Sequence, residues 1–185
     1  MKVELSPERA HYPMPCSIVG ANVDGKANFL AVAWFTMCNP TPGYIAVSLG
    51  KSHYSNPGIR ANGTFSVNIP SASIAEKADY CGVVSGRNAD KSKVFDVFYG
   101  KLKTAPMAKE CPFNIECRLV QTVDLPVEEL FIGEIVAAYC DETCITDGKP
   151  DLAKIDPFVL VSASKRYRTL GADIGGAWDI GKPRK

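Results

Sequence analysis

From Cys16 onward, short apolar runs are punctuated by turn-forming pairs, at the spacing of strands rather than of helices. Cys16 to Val23 is rich in small and β-branched residues, Asp24-Gly25 is a hairpin signal, and Ala27 to Met37 reads as the returning strand. Asn39-Pro40-Thr41-Pro42-Gly43 makes a rigid turn before a short apolar strand, Tyr44 to Leu49. The polar stretch Ser52 to Asn56 comes next. Ser55 or Asn56 is placed to cap a short helix running through Ala61, with Pro57 at an early helical position and Asn62-Gly63 at its end. Thr64 to Ile69 then alternates as a further strand.

Beyond Pro70-Ser71 the pattern predicts a helix from Ile74 to Tyr80, with Glu76, Lys77 and Asp79 on its wet side. Cys81 to Asp90 reads as a loop, and Lys91 to Phe98 as a helical turn or two. Phe113 to Val123 and Leu130 to Tyr139 are long strands joined across Asp124-Leu125-Pro126. A polar loop carries Asp147-Gly148, Phe158 to Ala163 is a final strand or buried segment, and the glycine-rich stretch Gly171 to Gly181 belongs on the surface. Many strands, few helices and mostly short turns favour one domain over residues 1–185 built as an antiparallel barrel, closed or nearly so. Strict βα alternation is missing, as are G-x-G-x-x-G and Walker-type glycine loops.

Composition removes alternatives. A chain of 185 residues with 46% hydrophobic and 22% charged residues is ordinary for a globular domain. A formal net charge of +1 carries no electrostatic footprint for nucleic acid or an anionic membrane. The basic tail Lys182-Pro183-Arg184-Lys185 is too short to change that and reads as a frayed terminus. Met1 to Pro15, containing Glu4, Glu8 and Arg9, has no apolar stretch of the export-signal kind. The richest apolar run, Phe29 to Met37, is about half of the roughly 18 residues a membrane span requires. A soluble, cytoplasmic protein is the expectation. The seven cysteines (Cys16, Cys38, Cys81, Cys111, Cys117, Cys140 and Cys144) form no regular framework, and only His11 and His53 are present to complete a zinc site. Free, partly buried thiols and no metal are expected.

Three clusters carry candidate chemistry. Along Asn28 to Thr36, Ala27, Ala31 and Ala33 would let a flat ring approach the main chain closely, although the same pattern suits a tightly packed barrel strand. Ser48 to Asn56 gathers hydroxyls, Lys51, His53 and a possible helix N-terminus within nine residues at the end of a strand, a combination suited to a phosphate or simply to a solvated turn. Ser85-Gly86-Arg87, in a glycine-flanked loop, offers a second anion grip, since arginine pairs with phosphate in a bidentate manner; a surface salt link is the plainer reading. Asp90 is placed to orient Arg87 or to cap the next helical turn.

Taken in order, these segments resemble a family. The run Asn28, Trp34-Phe35-Thr36, Pro40-x-Pro42, Ser48, His53-Tyr54-Ser55, Phe65-x-Val67-Asn68-Ile69-Pro70, Cys81-Gly82-x-x-Ser85-Gly86-Arg87 and Asp90-Lys91 is similar to the flavin reductase-like proteins, and among them to the flavoredoxins. The resemblance is dense from about Pro15 to Lys91 and weak on to Ile132-Gly133-Glu134. It implies an antiparallel FMN-binding split β-barrel with a few short helices, a homodimer with flavin sites near the subunit interface, and FMN as cofactor. By position it places Asn28, Ala33, Trp34, Phe35 and Thr36 along the ring or ribityl chain. It places Ser48, Lys51, His53, Ser55, Ser85 and Arg87 toward the phosphate, with Lys91 adding to the positive field and Tyr167 and Trp178 as covers for the flavin from either subunit.

One departure bears on function. Many reductases of this family carry Gly-Asp-His ahead of a Gly-Glu in a late strand, the histidine being linked with nicotinamide use. Here the stretch reads Pro126-Val127-Glu128-Glu129-Leu130-Phe131-Ile132-Gly133-Glu134, without that histidine, and its acidic pair would repel the phosphates of NAD(P)H if it faced the site. The resemblance therefore implies a redox protein that keeps FMN bound and exchanges electrons with a partner protein, with no catalytic side chain required. An NAD(P)H:FMN oxidoreductase releasing reduced flavin and a non-catalytic flavin-binding module are the alternatives.

Overall fold

The computed structural model describes residues 1–7 and 10–183. Glu8 and Arg9 of the N-terminal stretch, and Arg184 and Lys185 of the basic tail, lie outside the described residues. The first half forms β1 (Met14–Pro15), β2 (Ser17–Val23), β3 (Lys26–Val32), β4 (Phe35–Pro40), β5 (Gly43–Gly50), α1 (Ser55–Asn62) and β6 (Thr64–Ile69). The second half continues as α2 (Ala75–Val83), β7 (Val97–Phe98), β8 (Met107–Ala108), β9 (Phe113–Asp124), β10 (Glu128–Cys140), β11 (Ile145–Thr146) and β12 (Lys149–Pro150). Helix α3 (Leu152–Ile155), β13 (Phe158–Val161) and β14 (Arg166–Thr169) complete the chain's elements.

The turn Asp24-Gly25 has φ of 50° and 77°, and Asp and Gly tolerate such left-handed backbone. Strand β3 therefore returns directly beside β2, with Ser17 opposite Val32 and Val23 opposite Lys26. The main sheet has the order β3-β2-β6-β9-β10-β5-β4. Its two outermost strands are consecutive in the chain, joined only by Ala33 and Trp34. A sheet whose ends are that close must curl on itself, and Ser48 N donates to Trp34 O at 2.9 Å across the seam. The expected antiparallel barrel is present, and that seam splits the strand anticipated from Ala27 to Met37. Ala33 and Trp34 change neighbours there, so the chain leaves β2 and joins β5 as an edge strand.

Side chains alternate across the sheet, and both faces are used. Val19, Leu30, Val32, Val47, Phe65, Val67 and Phe131 fill the barrel interior. Ile18, Phe29, Ala78, Cys81, Phe95 and Phe158 form a second cluster between the barrel wall and α2. Strand β2, buried at every position, therefore reads as continuous apolar and small residues. Asn68 ties the layers together: its side chain donates to Ile18 O at 2.7 Å and accepts from Ala108 N and from Asn114 Nδ2. Fully buried Glu116 accepts from the backbone N–H groups of Lys101 and Leu102 and from the Tyr139 hydroxyl, so its charge is matched by donors.

Several boundaries differ from the sequence pattern. Helix α1 begins at Ser55 with Tyr54 at the cap position, and no side chain caps it. The Ser55 and Asn56 side chains are committed to tertiary bonds instead. The second helix runs from Ala75 to Val83, taking in Cys81, Gly82 and Val83, which read as loop. Lys91 to Phe98 contains only a 3₁₀ turn at Lys91–Lys93, capped by Asp90 through Ser92 N, before β7 pairs with β8. Asp147-Gly148 is the turn of a small hairpin, β11 with β12. Strand β13 is sandwiched between β1 and β14, neither of which has a clear strand pattern. No helix among the described residues is long and apolar enough to cross a membrane.

Candidate functional site

Strand β3 is the floor of a groove. The hairpin pins its start, the seam releases its end, and α2 lies along its outer face. One cavity of about 330 Å³ opens at its start beside Lys26, Ala27, Asn28 and Arg87, and three more succeed one another from there toward the seam. The first, of about 280 Å³, lies between Asn28 and Leu30 on one side and the loops Ser52–Ser55 and Ser85–Arg87 on the other. The second, of about 300 Å³, shares His53 with the first and is lined by Ala31, Val32, Ala33, Trp34, Ser48 and Glu128. The third, of about 240 Å³, shares Ala31, Val32, Ala33 and Leu160 with the second and is walled by Cys16, Asp79 and Tyr167.

The first cavity gathers groups that favour an anion. The uncapped N-terminus of α1 opens there, where main-chain N–H groups and the helix dipole favour negative charge. Arg87 reaches over the mouth, donating to Ser52 O at 2.8 Å and lying 5.6 Å from the centre of the Tyr54 ring. Asn28 Nδ2 donates to Ser55 Oγ at 2.8 Å, tying the floor to the helix start. Gly86 allows the Ser85–Arg87 loop to close onto that pair, because a Cβ there would stand 2.2 Å from Asn28 Oδ1 and 2.5 Å from the Tyr54 ring. Ser85 Oγ accepts from Arg87 N at 3.3 Å, steadying the turn.

The second cavity is flatter and more apolar, bounded by Ala31, Ala33 and the half-exposed Trp34. Small side chains on that stretch expose the main chain to a planar ligand. His53 stands at the junction with the first cavity. Loss of water on its protein-facing side holds its imidazole below the usual range; Glu128 opposes that shift, while Lys91 and Arg87 add to it. In the third cavity the Tyr167 hydroxyl donates to Asp79 Oδ1 at 2.7 Å. Burial and that carboxylate both raise the phenol above its ordinary range. Burial also pushes the Cys16 thiol up to about 12 and the Cys81 thiol up to about 11.

The structure thus brings together Asn28, Ala33, Trp34, Ser48, His53, Ser55, Ser85, Arg87 and Lys91. Lys91 contributes differently from the expected free charge. Its ammonium is buried and donates to Phe29 O at 3.0 Å and Cys81 O at 2.7 Å, and burial lowers its pKa. It clamps β3 to α2 from beneath the groove. Lys51 is drawn away to Asp124 at 2.7 Å. Beyond the seam, Phe35 packs against the barrel core, and Phe35 and Thr36 line an adjoining cavity with Tyr12 and Leu130 that shares Met14, Ala33 and Trp34 with the second. Trp178 is 93% exposed and does not cover this chain's groove. Residues the sequence did not single out include Leu160, which arrives from distant β13, and Ser52, whose carbonyl rather than side chain engages Arg87. Tyr54 was legible only as part of the family motif. All seven cysteines are unpaired, and no group of metal-ligating side chains assembles among the described residues.

Residues 9–171 match the family model for the flavin reductase like domain. A flavoredoxin from Methanosarcina acetivorans shares 47% identity and superposes with a TM-score of 0.96 over 98% of both chains. The flavoredoxin of Desulfovibrio vulgaris (Miyazaki F) shares 36% identity, with a TM-score of 0.91 over 98% of this chain and all of that one. An uncharacterized protein of Archaeoglobus fulgidus is 29% identical over 143 residues, 76% of this chain and 80% of that one. A protein with a split barrel domain from Shewanella frigidimarina shares the fold at 23% identity, with a TM-score of 0.77 over 89% of this chain and 85% of that one, and the chain belongs to the flavin reductase like domain family.

Proposed function

We propose that this protein is an FMN-binding electron carrier of the flavoredoxin kind. The observation that carries the reading is the polarity of the groove along β3. An anion grip of Arg87, Ser85 and the α1 N-terminus leads directly into a ring-sized apolar slot beside Ala31, Ala33 and Trp34. That is the order of a phosphate and a planar ring joined by a short polar chain, and the groove residues fit FMN in that direction. The likeness to two flavoredoxins supports it. FMN, when bound, supplies the electron-carrying chemistry; the chain's own residues bind, orient and shield it. Arg87 and the helix start hold the phosphate end, Asn28 keeps floor and helix in register, and the alanines admit the ring.

The donor in this reading is a redox protein. Glu128 faces the ring slot, which disfavours approach by the diphosphate of a nicotinamide nucleotide. A homodimer is part of the same proposal. Its support is the edge strand β4 and the junction before it, beside the groove, where Met37 and Trp34 are exposed at 55% and 48%. The test is reduction of the FMN-loaded protein under anaerobic conditions by NADH, by NADPH and by a reduced low-potential ferredoxin. Rapid bleaching of the flavin by ferredoxin alone is expected; multiple turnovers with NADH or NADPH would replace this reading with that of a flavin reductase.

A further inference from the structure

Glu128 and Glu129 are neighbours on β10 and face opposite ways. Glu129 is neutralised: Arg60 Nη1 lies 2.6 Å from its Oε2, which also accepts from Asn56 Nδ2 at 2.7 Å. Glu128 turns toward the groove and lines the slot with Trp34, Ser48 and His53. Among the described residues, its carboxylate has one hydrogen-bond partner, the Ser48 hydroxyl at 3.3 Å. The nearby cations are committed elsewhere. Lys51 is held by Asp124, Lys91 by two main-chain carbonyls, and Arg87 by Ser52 O at the far end of the first cavity. His53, with its imidazole held below the usual range, brings little positive charge at neutral pH. The groove is therefore electrically asymmetric, positive where Arg87 stands and negative beside the slot.

We propose that Glu128 sets the redox potential of the flavin, holding it low by placing an unneutralised carboxylate against the ring slot. The proposal rests on the reading that FMN lies in this groove with its phosphate at Arg87. Two-electron reduction of a flavin ring at neutral pH takes up two electrons and one proton, so a neutral ring becomes a monoanion. A fixed carboxylate leaves the neutral form nearly untouched and repels the anion, so the reduced flavin binds more weakly than the oxidised one. Ser48 holds the carboxylate in place without cancelling its charge. Neither Glu129, already paired with Arg60, nor Asp124, outside the groove with Lys51, acts in the same way.

The experiment uses the full chain loaded with FMN and three variants: Glu128→Gln, which removes the charge; Glu128→Asp, which retains it; and Asp124→Asn, which removes a nearby charge outside the groove. Affinity for oxidised FMN is measured by titrating the apoprotein, and the midpoint potential by reductive titration against a reference dye. Glu128→Gln is expected to keep oxidised-FMN affinity within about twofold and to tighten the reduced form about tenfold, which for a two-electron couple raises the potential by about 30 mV. Glu128→Asp and Asp124→Asn are expected to stay at the wild-type potential. An unchanged or lowered potential in Glu128→Gln, or an equal rise in Asp124→Asn, would overturn this assignment alone. Failure of the wild type to bind FMN would overturn the cofactor reading with it, and the titration reports that before any potential is measured.

Discussion

The guanidinium of Arg87 donates to the carbonyl oxygen of Ser52 at 2.8 Å, so this arginine of the groove wall is already aimed across its mouth. Pre-positioning lowers the ordering cost of gripping a phosphate. Arg87→Met is expected to weaken FMN binding roughly 10- to 100-fold, the scale of a lost charged hydrogen bond. Riboflavin, which has no phosphate, is expected to bind both forms alike. Paired titrations of apoprotein with FMN and riboflavin check this; an equal loss for both ligands would move the phosphate away from Arg87.

Gly86 is the second lever on the same end. A methyl group there meets Asn28 Oδ1 and the Tyr54 ring, so either the loop backs away or the bond from Asn28 to Ser55 breaks. Gly86→Ala is expected to destabilise the fold by about 1–3 kcal/mol and to weaken FMN binding. Urea unfolding and the same titration measure the two effects; wild-type values in both would show that the loop stands further off.

Lys91 acts on the floor. Replacing it by methionine keeps much of the stem but leaves the carbonyls of Phe29 and Cys81 without their donor. A loss of about 2 kcal/mol or more in unfolding free energy is expected for Lys91→Met, against little change for the exposed neighbour Lys93→Met. Equal stability of the two variants in urea would contradict the clamp.

Much of this groove was legible in the sequence, and the limits have physical causes. Asp24-Gly25 announced its hairpin because few residues accept that backbone. The alanines of β3 and the Ser85-Gly86-Arg87 turn announced close approach and a cation. Strand β3 and β4 read as one because nothing local marks Ala33-Trp34; the break is imposed by β5 across the seam. Lys91 read as part of the positive field at the phosphate end rather than as a clamp, because its two acceptors are main-chain atoms with no side-chain signature. Leu160 reaches the groove through β13 pairing with β1, a contact between opposite ends of the chain, and Tyr167, which the resemblance had named as a cover, arrives beside it on β14.

The buried thiols make the fold sensitive to alkali. Burial raises Cys81 from 9.0 to about 11 in the folded protein, so between those values the native state holds a proton that the unfolded chain releases. Stability from this source is complete below pH 9 and is lost as pH climbs toward 11. Relative to Cys81→Ala, the wild type is expected to lose on the order of 2 kcal/mol more across that window. Parallel pH profiles of urea unfolding for the two proteins would contradict it.

The most direct measurement is a titration of the apoprotein with FMN, monitored by quenching of flavin fluorescence and the appearance of a protein-bound flavin spectrum. A groove with its phosphate grip at Arg87 and its ring slot beside Ala31, Ala33 and Trp34 requires saturation at one FMN per chain, with riboflavin bound much more weakly. A protein that takes up no FMN, or binds riboflavin as tightly as FMN, would contradict the assignment of this groove.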